Sequence, residues 1–244
     1  KKEIDNNYVN LLQYATYSTS TKVTVTAYSD EACTEDVAVL TTDGSANPCW
    51  SAPIKLPIGT YWLKETAVNG CAVANTNAVK VDVTLQNTTD APAEVTFTNK
   101  LATGNGYVYK YDSVTGKAIG LGQAQFTFTY YDTFSNTLSV VGQTPKATWT
   151  FQTDANGNVL FDAAHYVSGS PLPTLGDGTP AMPCGIYVLT ETKIPDAYQG
   201  YPNVISKIAL PGYEWCNGEK VSIPNTPDRH VKIKKTSANP EITN

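Results

Sequence analysis

Two stretches of this chain share one pattern, and both place a glutamate where the core face of a strand is expected. Residues 59–66 read GTYWLKET and residues 185–192 read GIYVLTET. Side chains of a strand alternate between its two faces, so Glu191 falls on the same face as the tyrosine and the leucine before it. Burying a carboxylate there costs free energy unless a partner compensates for the lost hydration. The pattern therefore predicts two strands with a specific reason to bury Glu65 and Glu191.

An asparagine follows each of these glutamates at the same distance along the chain. Asn99 lies 34 positions after Glu65, and Asn225 lies 34 positions after Glu191. Each asparagine ends a short alternating segment, and turn residues follow it. A glutamate, an asparagine and their interval rarely recur together by chance. The chain is therefore predicted to contain two copies of one structural unit.

The composition is typical of strands joined by polar turns. Aromatic residues make up 10% of the chain and charged residues 16%, and we find no long stretch with apolar residues at helical spacing. Short segments predicted to be strands, among them SAPIKLP at residues 51–57, follow one another closely with turn signals between them. The sequence therefore predicts an all-β protein of the sandwich type. One unit is placed at residues 1–101, a second at 105–228, and the start of a further module or a linker at 229–244.

The overall charge argues against several classes of partner. The net charge is −5 and the isoelectric point is near 5.0, whereas nucleic acids and anionic membrane surfaces attract basic proteins. No apolar run reaches the roughly 18 residues that indicate a transmembrane helix. We therefore expect no nucleic-acid partner and no direct membrane insertion of this segment.

Three polar residues of the second unit are predicted to face one core. They are Lys110 in the first strand, Glu191 in a middle strand and Asn225 in the last strand. Burial favours a neutral amine and a protonated carboxyl, because it penalises charge. A neutral amine is a nucleophile, and a protonated carboxyl can stabilise the oxyanion of an attacked amide. Attack of Lys110 on the Asn225 side chain would release ammonia and leave an amide crosslink. The alternative is an ordinary buried salt bridge.

These features together resemble the CnaB-type, or SpaA-like pilin, domains of Gram-positive surface proteins. The resemblance rests on the lysine of the first strand, the YxLxET box and the terminal strand that ends in asparagine. It covers essentially the whole chain as two tandem copies. It implies two inverse-immunoglobulin-like β-sandwiches, each crosslinked by a Lys–Asn isopeptide bond that the glutamate helps to form. In the second unit this bond would join Lys110 to Asn225, with Glu191 assisting.

The lysine of the first unit is harder to place. The segment TKVTVTAYSDEACTEDVAVLTT resembles the second and third strands of the family, so the first strand is expected within KKEIDNN. We assign Lys2 to the pair formed by Asn99 and Glu65. Lys1 is the nearest rival, and Lys22 is a third option.

Five cysteines in a loop-rich β protein are typical of an exported protein with a disulfide or two. Cys184 and Cys216 lie at the far ends of two segments that we expect to pair as antiparallel strands, so a disulfide is predicted between them. Among Cys33, Cys49 and Cys71 at most one pair can form, and the sequence leaves its choice open. No CxxC pair is present and the two histidines are far apart in sequence, so we expect neither a metal site nor a cofactor.

The predicted function is structural. The chain is interpreted as a self-crosslinked stalk or backbone segment of a bacterial adhesin or pilin, extracellular and anchored to the cell wall through regions outside this segment. Its expected partners are adjacent modules of the same surface protein, and no enzymatic turnover is expected because each bond would form once. The alternative is a ligand-binding adhesin module that recognises a host matrix protein or a glycan, with residues 165–184 as the place to look. The sequence predicts neither the identity of such a ligand nor assembly into a pilus.

Overall fold

The described part of the chain consists of strands, loops and two 3₁₀ helices. The structure is a computed structural model that describes residues 1–14, 22–44, 47–229 and 233. The further module expected at 229–244 lies outside the described residues apart from positions 229 and 233. No helix in the described ranges is long and apolar enough to cross a membrane.

The first seven strands form two sheets. They are β1 (Lys2–Ile4), β2 (Val23–Tyr28), β3 (Asp36–Thr41), β4 (Gly59–Val68), β5 (Ala72–Val73), β6 (Val79–Val83) and β7 (Phe97–Leu101). One sheet has the order β3-β2-β4-β6 and the other the order β1-β7-β5. Val23 and Val25 of the first sheet pack with Phe97 of the second. The two sheets therefore face each other, and we call this part of the chain, residues 2–101, the N-terminal sandwich.

The remaining strands form a second pair of sheets. They are β8 (Tyr107–Asp112), β9 (Gln125–Tyr131), β10 (Ala147–Gln152), β11 (Asn158–Val159), β12 (Tyr166–Gly169), β13 (Gly185–Lys193), β14 (Tyr198–Gln199), β15 (Ile205–Ala209) and β16 (Lys220–Pro227). The sheet orders are β12-β10-β9-β13-β15 and β11-β8-β16-β14. Ile223 of β16 belongs to one aromatic core with Phe128 and Trp149 of the other sheet. We call residues 107–227 the C-terminal sandwich.

Alternation along the strands explains why polar residues enter these cores. In β8 every second side chain is buried, and Lys110 falls in the buried phase together with Val108. In β7 the same alternation buries Asn99 together with Phe97. Because side chains alternate between the two faces of a strand, a residue at a core-facing position points into the core unless the register of the strand shifts.

The first and last strands of each sandwich are parallel neighbours. β1 pairs with β7 in the N-terminal sandwich, and β8 pairs with β16 in the C-terminal sandwich. The predicted all-β sandwich fold class is confirmed, and so is the antiparallel pairing of β13 with β15.

Two details of the fold differ from the sequence prediction. The segment SAPIKLP was expected to form a strand, but only Ser51 makes an isolated bridge, to Thr42. Prolines at positions 53 and 57 explain this, because each lacks a backbone donor for a ladder. The 3₁₀ helix Asn6–Gln13 was not predicted, although the Asp5 side chain caps it by accepting a hydrogen bond from the backbone of Asn7.

Candidate functional site

The C-terminal sandwich brings the three predicted residues together in its core. The Lys110 ammonium nitrogen Nζ lies 3.1 Å from Glu191 Oε1 and donates a hydrogen bond to Asn225 Oδ1. The side-chain nitrogen Nδ2 of Asn225 donates to the same Glu191 oxygen at 2.9 Å. One carboxylate oxygen therefore contacts both the amine and the amide nitrogen.

This site is closed to solvent and lined by aromatic rings. The side chains of Lys110 and Glu191 are 0% and 1% exposed. The Lys110 amine lies 5.5 Å from the ring centroid of Phe126 and 6.0 Å from that of Tyr201. Burial lowers the pKa of Lys110 from 10.5 to about 8, although the neighbouring Glu191 favours the charged form. The amine is therefore neutral far more often at neutral pH than an exposed lysine is.

The second oxygen of the glutamate is held by the backbone. Tyr201 donates its N–H to Glu191 Oε2 at 2.6 Å, ten residues further along the chain. This bond fixes the carboxylate plane and leaves Oε1 directed at the lysine and the asparagine. This contact could not be predicted from sequence, because a backbone donor carries no side-chain signature.

The N-terminal sandwich repeats the arrangement. Asn99 Nδ2 donates to Glu65 Oε2 at 2.8 Å and to the Val73 carbonyl at 3.1 Å. The N–H of Asn75, ten residues after the glutamate, donates to the same Oε2 at 2.5 Å. The glutamate–asparagine contact and the backbone donor thus recur at the same sequence intervals.

The strand register places Lys2 in the position equivalent to Lys110. In the parallel pair β1–β7, Asn99 is opposite Ile4, two residues after Lys2. In the pair β8–β16, Asn225 is opposite Asp112, two residues after Lys110.

The two rival lysines of the N-terminal sandwich lie elsewhere. Lys2 is 1% exposed, whereas Lys1 forms a surface ion pair with Glu3 at 2.8 Å and Lys22 is exposed. Of the three lysines that the sequence left open, only Lys2 has a buried side chain.

Three buried polar atoms of the N-terminal triad lack partners. Lys2 Nζ, Glu65 Oε1 and Asn99 Oδ1 have no hydrogen-bond partner in the part of the chain that the structure describes. Burial lowers the pKa of the Lys2 amine, and burial raises the pKa of the Glu65 carboxyl. Both shifts favour a neutral amine beside a protonated acid. Such unpaired groups are rare in cores, because each costs the hydration it has lost.

A cleft distinguishes the N-terminal site from the C-terminal one. It has a volume of about 620 Å³ and lies between the two sheets. Apolar side chains such as Val25, Leu63 and Phe97 line it, and Lys2 is part of the wall. The lysine of this site therefore borders an open space rather than a closed aromatic core.

The predicted disulfide between Cys184 and Cys216 is not formed in the structure. Both are free thiols, as are Cys33, Cys49 and Cys71. The strand pairing behind the prediction is correct, because Gly185 pairs with Ala209 and brings the two cysteines to the same end of the sheet.

The stretch 165–184 is occupied by contacts within the chain. Gly176 and Asp177 donate backbone hydrogen bonds of 2.7 Å and 3.0 Å to the backbone and side chain of Asn7. The Tyr14 hydroxyl donates to the Pro171 carbonyl at 3.1 Å. This stretch, which the sequence suggested as the place to look for ligand recognition, contacts the N-terminal 3₁₀ helix and the residue that follows it, and residues 167–169 and 176–179 are exposed.

Comparison with known proteins supports the fold. No protein-family model and no curated protein sequence matches the chain. Among solved structures, the chain is similar to the Bacillus anthracis TIE protein, with 18% identity and a TM-score of 0.55. The match covers 85% of this chain and 31% of that chain, so the segment spans less than a third of its length.

Two pilus proteins are also similar. A C-terminal fragment of the pilus adhesin SpaC from Lactobacillus rhamnosus GG matches with 14% identity and a TM-score of 0.44, over 96% of this chain and 97% of that one. The shaft pilin SpaA from the same organism matches with 14% identity and a TM-score of 0.29, over 87% of each chain. At these identities the comparisons bear on fold alone, and the TM-scores below 0.5 add nothing to the TIE protein likeness.

Proposed function

We propose that the chain is a structural segment of a bacterial cell-surface adhesin or pilin in which each sandwich is crosslinked by an autocatalytic Lys–Asn isopeptide bond. The bonds join Lys110 to Asn225 and Lys2 to Asn99. The observation that carries the proposal is the position of Glu191 Oε1, within hydrogen-bond distance of both Lys110 Nζ and Asn225 Nδ2.

The geometry suits a single proton shuttle. The neutral Lys110 amine attacks the side-chain carbonyl carbon of Asn225, and Glu191 Oε1 accepts a proton from the attacking nitrogen. The same oxygen delivers a proton to Asn225 Nδ2, which leaves as ammonia when the carbon–nitrogen bond breaks. One amine and one primary amide give one secondary amide and one ammonia, so no water or cofactor is consumed. Glu191 transfers these protons once in the life of each chain, and the reaction has no external substrate.

The N-terminal triad supports the same chemistry through its unpaired atoms. Joining Lys2 Nζ to the Asn99 side chain converts a buried amine into an amide N–H, a donor suited to the free Glu65 Oε1. It also replaces an ionisable amine, whose charged form burial disfavours, with an amide that does not ionise. The bond thus relieves the cost that the separate side chains impose on the core.

Crosslinks at these positions are suited to resisting force. Each bond joins the first strand of a sandwich to the last, and these strands are parallel neighbours. Tension applied to the ends of a sandwich enters through one of them and leaves through the other. A covalent link between them bypasses the 115 positions that separate Lys110 from Asn225. The intervening sheets then carry little of the load.

The setting of the chain follows from this mechanical role. We place it outside the cell, in a protein anchored to the cell wall through regions beyond this segment, with adjacent modules of that protein as its partners. The motif resemblance to SpaA-like pilin domains and the fold shared with the TIE protein support this placement.

Peptide mapping tests the chemistry at residue level. A denatured tryptic digest should contain a branched peptide in which residues 101–117, uncleaved at Lys110, are joined to residues 221–229 with the loss of one ammonia. A second branched peptide should join residues 2–22 to 81–100. Recovery of Lys110 and Asn225 only in separate, unmodified peptides would refute the C-terminal bond.

A further inference from the structure

Three cysteines meet where the two sandwiches touch. Cys71 precedes β5 in the N-terminal sandwich, Cys184 precedes β13 in the C-terminal one, and Cys216 ends the short 3₁₀ helix Glu214–Cys216. The pairing of β13 with β15 brings Cys184 and Cys216 to one end of a sheet, and the packing of one sandwich on the other places Cys71 beside Cys184.

Cys184 is the central member of this group. Its side chain packs in one buried cluster with Cys71, and the pairing of β13 with β15 brings Cys216 to the same end of the sheet. Its Sγ also donates to the Ala102 carbonyl at 3.2 Å, while the Ala102 N–H donates to the Cys71 carbonyl at 2.8 Å. Residue 102, in the connection between the sandwiches, therefore holds the two cysteines side by side.

The surroundings hold these sulfurs in place. Cys71 and Cys184 are 1% and 2% exposed and belong to one apolar cluster that combines residues of both sandwiches, among them Leu11 and Ala181. Another contact between the two sandwiches is made by the rings of Tyr14 and Trp149, whose centroids are 5.9 Å apart.

We propose that Cys71 and Cys184 form a disulfide that joins the two sandwiches covalently, and that Cys216 is the thiol through which oxidation enters. Three thiols can form one disulfide and leave one thiol free. Cys216 is the partly exposed member and is therefore the one that an external oxidant reaches. Pairing the two fully buried sulfurs leaves the free thiol at the position nearest to water.

The oxidation proceeds by three exchanges that balance. The Cys216 thiolate attacks a small external disulfide and releases one external thiol. The Cys184 thiolate then attacks the Cys216 sulfur, releasing a second external thiol and forming a Cys184–Cys216 disulfide. Finally the Cys71 thiolate attacks the Cys184 sulfur and frees Cys216. The two electrons lost by the protein reduce the external disulfide to two thiols. The sequence-predicted bond is an intermediate in this scheme.

The rate of cysteine oxidation should depend on pH. The hydrogen bond with Cys184, together with burial, raises the pKa of the Cys216 thiol above its usual range. Since the thiolate is the attacking species, oxidation should be slow at neutral pH and faster in mildly alkaline buffer.

A time course of oxidation tests the proposal. The reduced full chain is incubated with oxidised glutathione in mildly alkaline buffer, its remaining thiols are alkylated, and it is denatured and digested with trypsin without reduction. The three cysteines fall in separate tryptic peptides, 65–80, 147–193 and 208–220. We expect an early species that joins 147–193 to 208–220, replaced by one that joins 65–80 to 147–193 with Cys216 alkylated. An end point with Cys71 alkylated would overturn the proposal, whatever its two neighbours do.

Three variants distinguish the roles of the individual cysteines in this oxidation. Cys216→Ser should reach the same Cys71–Cys184 bond more slowly, and an unchanged rate would refute the entry role of Cys216. Cys71→Ser should stop at the Cys184–Cys216 bond. Cys33→Ser, in the β2–β3 connection away from the cluster, is the matched control and should leave the time course unchanged. These outcomes do not depend on the isopeptide bonds, whose branched peptides contain none of the three cysteines.

Discussion

The two sandwiches place the same three residue types in the same strand register but surround them differently. The C-terminal triad lies in a continuous core that contains Phe126, Phe128 and Trp149. The N-terminal triad borders an apolar cleft of about 620 Å³, and the core cluster beside that cleft has only Val23, Val25 and Phe97 as fully buried members. The shared geometry therefore depends on the local register of two parallel strands and one glutamate strand, and not on a densely packed core.

The difference also appears in the hydrogen bonding of the lysines. Lys110 contacts both Glu191 and Asn225, whereas Lys2 has no hydrogen-bond partner among the described residues. The unreacted N-terminal triad thus has more buried polar atoms without hydrogen-bond partners. It would therefore gain more stability than the C-terminal triad by forming the proposed bond. The proposed C-terminal bond would be the better shielded of the two.

The largest expected effect comes from Glu191→Ala. It should prevent the C-terminal bond, because no other group among the described residues contacts both the amine and the amide nitrogen. Loss of a crosslink that closes a loop of this length costs about 4–5 kcal/mol in the chain-entropy model, and an unpaired buried lysine costs roughly 3–5 kcal/mol more. Intact mass should show one ammonia more than in the wild type after allowing for the substitution, and thermal denaturation should show a large fall in the melting temperature.

Glu65→Ala is the matched control for this variant. It should retain the branched peptide that contains Lys110 and lose only the N-terminal one. The double variant Glu191→Ala/Lys110→Ala should be far from additive in stability, because either change alone prevents the bond. A Glu191→Ala chain that still loses its full complement of ammonia would show that the carboxylate is dispensable.

The second-largest expected effect distinguishes between the candidate lysines of the N-terminal sandwich. Lys2→Ala should abolish the N-terminal bond and lower the free energy of unfolding by about 4–5 kcal/mol. Lys1→Ala should keep the bond and cost less than about 1 kcal/mol, because it removes a surface ion pair with Glu3 and a contact with the exposed Trp50 ring. Chemical denaturation and intact mass measure both. Loss of the bond in Lys1→Ala but not in Lys2→Ala would contradict the register assignment.

A smaller effect concerns pH. In Asn225→Ala the buried Lys110 amine stays unreacted, with a folded-state pKa near 8 against 10.5 for the unperturbed group. Between these values the unfolded chain binds more protons than the folded one, so the stability of the variant should rise with pH by up to about 3 kcal/mol. Below pH 8 both states are protonated and the dependence disappears.

Wild type is the control for the pH experiment, because the proposed bond makes its Lys110 nitrogen an amide that does not titrate. Denaturation curves measured at a series of pH values give the difference between the two chains. Parallel stability curves for wild type and variant would mean that the wild-type lysine is also a free amine.

Much of the fold and of the site was accessible from sequence. The period of two placed Glu65, Glu191 and Asn99 on core faces, and the repeated interval linked each glutamate to its asparagine. Burial of Lys110 followed from the same alternation in β8. These features are local in sequence or occur twice in the chain. The sequence pattern alone was therefore enough to predict them.

The remainder depended on tertiary contacts. The backbone donors at Asn75 and Tyr201 have no side-chain signature. The partners of Cys184 include Cys71 of the other sandwich, and no strand pattern predicts a contact between sandwiches. The stretch 165–184 looked like a free loop because the 3₁₀ helix that it contacts was itself not predicted.

Intact mass of the full chain, denatured and reduced, tests the central claim most directly. Reduction removes any disulfide from consideration, and the branched tryptic peptides assign the deficit to the two Lys–Asn pairs. We predict a mass below the sequence value by two molecules of ammonia, one for each sandwich. A mass equal to the sequence value would contradict the account, and a deficit of one ammonia would contradict the equivalence of the two triads.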